Sequence, residues 1–411
     1  MRTKTALALA IIVVAAAVLP AVFSAGTVGA ASVASAASTT TAAAAKTPFY
    51  YGVWLPFWKS QSGASDISIN LDSLHEVSPF SYEMNSKGAL VDDLKIGNGS
   101  WDGWLGAVHD AGVKIIPTIA WFDGPSIYRL LSSTKKRQAE EDTVAALVKS
   151  KKFDGIDIDF ESMTTSTKPY YSLFIQGLAI RLHPAKKTLA CTIVPRTPVS
   201  SLYESNPLPV VQYAEDYVAL NKYCDEVRVM AYDQGTIDLK LDAAKGNGTL
   251  YAPTADPAWV EKVIKNTIAT ISPKKVMLGI PTYGYEYQVS WLMGATTYER
   301  VRSFTYFDAM DRTDSLGIAP YRNNAGELSF AFSSSTHVEN VGPALTSIVA
   351  STLPTALAAT DPNASTTFFV SFSDAQSTAD KIALAKKYGL RGAMLFKADG
   401  LLDPATWGIM H

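Results

Sequence analysis

The sequence predicts an α/β protein: a (β/α)8 TIM barrel with a small α+β insertion between its seventh and eighth strands. Three observations lead there. Short β-branched and apolar runs alternate with longer segments of helical periodicity, the pattern of β-α units around a parallel sheet. The runs number eight, as such a barrel requires. One connection, from Tyr285 to about Phe372, takes almost ninety residues, and a structureless loop of that size is improbable inside a compact domain.

The chain opens with two positive charges, Arg2 and Lys4, then the apolar run Ala6 to Phe23 and the small residues Ser24, Ala25 and Gly26. Residues 1–25 therefore read as a secretory signal peptide or, if uncleaved, a membrane anchor. Residues 26–47 are almost wholly Ala, Ser, Thr, Val and Gly without an apolar period, a flexible spacer. The barrel is expected over 48–285 and 373–411, and the insertion over 286–372. Barrel strands are predicted at Tyr51 to Pro56, Val77 to Tyr82, Val113 to Ala120, Gly155 to Phe160, Leu189 to Val194, Val227 to Tyr232, Val276 to Pro281 and Gly392 to Phe396. Helices are predicted at Trp101 to Asp110, Glu141 to Lys151, Tyr170 to Leu182, Ala258 to Ile271 and Ala375 to Tyr388. Within the insertion, Arg302 to Phe307, Leu328 to Phe332 and Phe368 to Phe372 read as strands and Val341 to Ala350 as a helix. A doubly wound sheet would carry a glycine-rich phosphate turn, and no G-x-G-x-x-G occurs.

Composition narrows the partners. Of 411 residues, 47% are hydrophobic and 18% charged, and 36 basic residues balance 38 acidic ones for a net charge of −2. A nucleic-acid partner is not expected without a basic excess. With 19 Tyr, 16 Phe and 8 Trp, the chain can bury enough surface to offset its conformational entropy. The five histidines show no zinc-hydrolase spacing, there is no G-x-S-x-G elbow, and no cofactor is implied. The only cysteines, Cys191 and Cys224, form either one disulfide or a pair of buried thiols. No internal repeat is visible, and a monomer is expected.

The most informative stretch is Asp154-Gly155-Ile156-Asp157-Ile158-Asp159-Phe160-Glu161. Side chains on a strand alternate faces, so Asp157, Asp159 and Glu161 point one way and Ile156, Ile158 and Phe160 the other. Three carboxylates on one face cannot all ionise freely, and burying them is costly, so the pattern points to catalysis. Calcium loops also use D-x-D-x-D, but an EF-hand needs Gly at its sixth position and Glu at its twelfth, neither of which fits here. Asp154 lies off the alternation and is expected to order the turn into the strand.

This motif resembles the D-G-x-D-x-D-x-E signature of glycoside hydrolase family 18, which includes chitinases, endo-β-N-acetylglucosaminidases and spore-cortex or cell-wall hydrolases. Met230-Ala231-Tyr232-Asp233 resembles the family's M-x-Y-D, and Gly279-Ile280-Pro281-Thr282-Tyr283-Gly284 its G-x-P-x-Y-G, with the insertion following at the usual place. The eighth strand departs from the pattern, since it ends in Phe396 where the family commonly has Trp.

The resemblance implies a retaining mechanism in which the substrate's own N-acetyl group is the nucleophile, a known exception among glycosidases. Glu161 would be the general acid and then the base. Asp159 would hold the N-acetyl amide, with Asp157 sharing or exchanging a proton beside it as a coupled set. Tyr232 would hydrogen-bond the acetyl carbonyl, and Asp233 would contact the sugar or its acetamido group. Met230, Tyr283, Trp54 and Phe396 would complete the sugar site. The implied partner is an N-acetylglucosamine-containing polysaccharide, and the implied location is secreted or envelope-associated, with membrane contact only if the N-terminal segment is kept. The run Tyr283-Gly284-Tyr285 is closer to cell-wall and germination members than to typical chitinases, while chitin, peptidoglycan and N-glycan cores all stay open. A lectin-like member that has lost catalysis is the alternative, and the presence of Glu161 argues against it.

Overall fold

The computed structural model describes residues 48–292, 295–334 and 366–410. The leader, the spacer and the helix expected at Val341 to Ala350 lie outside them. Eight parallel positions form a closed barrel: β1 (Tyr50–Pro56), β2 (Glu76–Met84), β3 (Thr118–Trp121), β4 (Gly155–Phe160), β5 (Thr188–Ile193), β6 (Glu226–Met230), β7 (Val276–Pro281) and β8 (Gly392–Phe396). Closure is made by β1, which pairs with both β2 and β8.

The third strand is not the continuous run the sequence suggested. Pro117 has no N–H to give a ladder, so Lys114–Ile115 pairs with Glu76 and Val77, and Thr118–Trp121 resumes the pairing further along β2. The carbonyl of Pro117 still accepts the Asp157 N–H at 2.8 Å. Between strands run helices Asp102–Asp110, Thr134–Ser150, Lys168–Leu182, Pro257–Ile268 and Ala375–Lys387. The second of these starts well before Glu141, where the Ser133 hydroxyl caps it by accepting from Lys136 N.

Alternation along β4 separates two cores. Ile156, Ile158 and Phe160 pack outward against the helices, Phe160 stacking on Phe174 at 5.6 Å. Inside the barrel a smaller apolar cluster gathers Trp54, Phe80, Ala120, Met277 and Met394. Gly155 is required where β4 passes β5, because a Cβ there would lie 2.2 Å from the Thr188 carbonyl oxygen. A disulfide joins Cys191 on β5 to Cys224 just before β6. Closing a separation of 33 residues stabilises the fold by about 3–4 kcal/mol in the chain-entropy picture.

A second, antiparallel sheet follows β7 in the order Ala295–Thr305, Tyr283–Leu292, Thr366–Phe372, Leu328–Ser334, Tyr321–Arg322. Gly284 is where it crowds closest, since a Cβ there would meet the Ser371 oxygen at 2.1 Å. The strand expected at Arg302 to Phe307 stops at Thr305. There Thr305 and Asp308 form a reciprocal capping box that opens helix Tyr306–Leu316. Phe304, Ala309, Phe330, Phe332, Val370 and Phe372 make the sheet's own core. Among the described residues no helix is long and apolar enough to cross a membrane.

Candidate active site

The carboxylates of β4 climb from a sealed layer to an open one. Deepest is Asp157, fully buried. Its Oδ2 accepts from Trp54 Nε1 at 3.2 Å and Thr118 Oγ1 at 2.9 Å and lies 3.1 Å from an Arg228 guanidinium nitrogen, while Oδ1 accepts from Thr192 Oγ1 at 2.9 Å. Arg228 in turn pairs with Glu76 at 3.0 Å and Glu226 at 3.3 Å. Burial pulls this guanidinium down, but Asp157, Glu76 and Glu226 outweigh it and hold its pKa above the ordinary value.

One step along the same face, Asp159 is buried and its Oδ1 has no hydrogen-bond partner among the described residues. Burial, then the charges of Glu161, Asp157 and Glu215, push its carboxyl well above the usual range, so the neutral acid is favoured. Glu161, half-buried at the strand's end, is raised by burial and by Asp233 and Glu215. Glu215 is itself clamped 2.6 Å from Arg196, whose guanidinium lies between the rings of Tyr213 and Tyr217 at 4.0 Å from each.

Beyond β6, Asp233 takes a left-handed backbone (φ 62°), a conformation Asp tolerates better than most residues. Its Oδ1 accepts from the Tyr283 hydroxyl at 2.6 Å and the Tyr285 hydroxyl at 2.7 Å, both from the first strand of the small sheet. Tyr232 is buried and lies flat on Phe396, with ring centroids 5.4 Å apart and planes 14° from parallel. Burial and the surrounding carboxylates, Asp159 first, keep its phenol protonated.

A cleft of about 330 Å³ opens over these groups at the C-terminal end of the barrel. Of the residues picked from the sequence, Trp54, Asp159, Glu161, Met230, Tyr232, Asp233 and Phe396 line it. Asp157 and Tyr283 stand behind the lining, one braced against Arg228 and the other holding Asp233. Asp154 sits at the other end of β4, accepting from Ile115 N and from His109, each at 2.9 Å.

Several lining or supporting groups escaped sequence reasoning. Trp58 and Phe122 offer half-exposed rings at the cleft, and Phe57, Phe80, Glu83 and Thr192 complete its wall. Trp58 and Phe122 each follow just after a barrel strand, a position that could have marked them. Arg228 was findable too, because Glu226, Arg228 and Met230 alternate inward along β6. Glu215 was not, since it lies in irregular chain after β5. Among the described residues no group of three or more His, Cys, Asp or Glu side chains is spaced to hold a metal ion.

The chain resembles known proteins over much of this framework. It is 29% identical over 170 residues to the uncharacterized glycosylase YvbX of Bacillus subtilis (strain 168), a match covering 41% of this chain and 44% of that one. The matched segments span less than half the length of such curated relatives. The fold is shared with the Bacillus cereus spore cortex-lytic enzyme SleL (TM-score 0.65, 19% identity, 89% of this chain and 74% of that one). It is shared equally with a chitinase from Chromobacterium violaceum (TM-score 0.65, 18% identity, 88% and 98%). The model of Glycosyl hydrolases family 18 matches residues 103–400, which take in the carboxylate strand, the Met230–Asp233 segment and both flanking barrel strands. The chain therefore belongs to glycosyl hydrolase family 18.

Proposed function

We propose that this chain is an exported glycoside hydrolase that cleaves β-1,4 bonds next to N-acetylglucosamine in a chitin-like or peptidoglycan polysaccharide. The observation that carries the reading is the graded carboxylate face of β4. Its inner member is charge-compensated, its middle member is buried with one oxygen unpartnered among the described residues, and its outer member opens on a cleft with its pKa raised. Glu161 protonates the glycosidic oxygen as the bond to the anomeric carbon breaks, because a carboxyl held above its usual range keeps its proton for that step. The substrate's acetamido oxygen closes on the anomeric carbon to give an oxazolinium ion, and Asp159 takes the amide N–H. Asp157 shares or exchanges the proton of Asp159; its Oδ1 has one protein donor, Thr192. The buried phenol of Tyr232 donates to the acetyl oxygen. Glu161, now a carboxylate, then activates the water that opens the ring with net retention.

Trp58 and Phe122 support a polysaccharide substrate, since exposed rings give sugar faces an apolar surface to stack on. Export is supported by the disulfide, which persists in oxidising compartments. The Bacillus relatives named for cortex lysis favour testing peptidoglycan beside chitin.

The test is release of reducing ends from chitooligosaccharides and from purified peptidoglycan, side by side. Glu161→Gln should retain oligosaccharide binding and lose roughly 10²–10⁴-fold in turnover, the range expected for a general acid. Unchanged turnover would end the assignment. A thiazoline analogue of N-acetylglucosamine should inhibit competitively, and indifference to it would exclude the acetamido mechanism.

A further inference from the structure

Outside the barrel, the turn at residues 85–88 and the helices Gly124–Leu131 and Thr134–Ser150 enclose, with β3, a second pocket of about 320 Å³. It shares no lining residue with the Glu161 cleft. The reason is alternation on β3: Ala120 faces the barrel interior, whereas Trp121 faces out, packing edge-on against Phe160 at 5.4 Å.

Two buried polar atoms in this wall have no partner among the described residues. Trp121 is 1% exposed and its Nε1 donates to nothing; Glu140 is 9% exposed and its Oε1 accepts from nothing. Native structures leave few such groups, and two in one pocket call for a common explanation. Three cationic side chains line the same space, yet none of the ion pairs among the described residues involves Glu140. Burial pushes its carboxyl up to about 7, so near neutral pH it can offer a donor as well as an acceptor. The side chains of Lys87 and Lys136 make no hydrogen bond or ion pair among the described residues. Arg129 is fixed beside them by donating to the Ser86 carbonyl at 3.2 Å and the Ser126 hydroxyl at 2.5 Å.

We propose that this pocket binds a small hydroxylated anion, with its carboxylate or phosphate at the rim against Lys87, Lys136 and Arg129 and a hydroxyl reaching Trp121 and Glu140. The rim is cationic with spare donors, which selects negative charge. A hydroxyl both accepts and donates, so it answers an indole N–H and a carboxyl as no simple anion can. Sugar acids and sugar or polyol phosphates share this chemistry.

The experiment is a titration of the full ¹⁵N-labelled protein, read at the Trp121 indole N–H, with Trp121→Phe assigning that signal. The probes are N-acetylmuramic acid, glycerol 1-phosphate and, as the neutral control, N-acetylglucosamine. Occupancy of the Glu161 cleft would move the indole signals of Trp54 and Trp58, so the two sites are read separately. At least one anion should shift the Trp121 signal saturably while the neutral sugar does not, and which anion does so separates the carboxylate from the phosphate source. Lys87→Ala/Lys136→Ala, both exposed positions, should weaken that binding at least tenfold. No shift with either anion at millimolar concentration, an equal shift with the neutral sugar, or an affinity unchanged in the double variant would each overturn the proposal, the first leaving the pocket to water, the second to uncharged hydroxyl compounds and the third to binding that does not use the lysine rim.

Discussion

Two groups of acidic side chains lie along the axis of one barrel, and they are treated in opposite ways. In the lower group Glu76, Asp157 and Glu226 are fully buried around Arg228, and Arg391 adds a second cation 3.0 Å from Glu226. In the upper group Asp159, Glu161 and Asp233 have no ion pair among the described residues, and their partners are phenols or nothing. Burying carboxylates leaves two ways to avoid an isolated charge, which are to pair it or to protonate it. The lower group is mainly paired, although Glu76, raised to about 8 by burial and Glu226 against the pull of Arg228, also leans on a proton. In the upper group Asp159 and Glu161 rely on protons, which can leave and return, while Asp233 is held by the hydroxyls of Tyr283 and Tyr285. The contrast separates acidity braced by a cation from acidity that faces the cleft, and Asp157, braced by Arg228 yet next on the strand face to Asp159, stands at the boundary of the two.

The comparison can be broken most forcefully from below. Arg228→Met should destabilise the protein by about 3–5 kcal/mol in urea unfolding, because three buried carboxylates lose their shared cation; a cost under ~1 kcal/mol would show that the lower group is also proton-neutralised. Removing charge from the upper group should act in the opposite direction. The folded-state pKa of Asp159 lies above its unfolded value of about 3.9, so the wild-type chain loses stability as pH rises between the two. Asp159→Asn should therefore raise stability at neutral pH by about 0.5–2 kcal/mol while activity collapses, and the gain should vanish below about pH 4. Thermal melts across pH check both sign and window.

A finer probe is the alkaline limb of kcat/KM, where Glu161 must keep its proton. Asp233 is one of the charges that raise Glu161, so Asp233→Asn should move that limb to lower pH in whatever activity remains. A limb that stays in place would mean that burial and Glu215 set it without Asp233. Smallest of all is Tyr285→Phe, expected to cost below about 1 kcal/mol because Tyr283 still donates to Asp233.

Much of this was legible in the sequence, for reasons visible residue by residue. Period-two alternation through Asp157, Asp159 and Glu161 is set by the strand itself, so their common face needed no tertiary knowledge. Barrel strands were legible because each carries short apolar or β-branched stretches whose outward members pack under the helices, as Ile156, Ile158 and Phe160 do on β4. What sequence reading overlooked depends on competing local signals. Thr305-Tyr306-Phe307-Asp308 contains both an aromatic run that reads as strand and a cap that starts a helix, and the cap prevails. The pairing of Tyr283–Leu292 with Ala295–Thr305 was hidden inside a long connection whose strands have no barrel neighbour. Arg228 and Glu76 meet across 152 positions of chain, which no local pattern reports.

The tyrosine contacts on Asp233 bear on how this scaffold can be re-engineered. The small sheet sits in one long connection, which invites its replacement as a cassette to change what the groove accepts. Its first strand begins at Tyr283, separated from the end of β7 by Thr282 alone, and supplies both phenols that donate to the Asp233 carboxylate. A graft cut at the end of β7 would therefore remove part of the reaction centre along with the wall. A recombination junction placed after Tyr285 keeps the two phenols with the host and makes the rest of the sheet exchangeable.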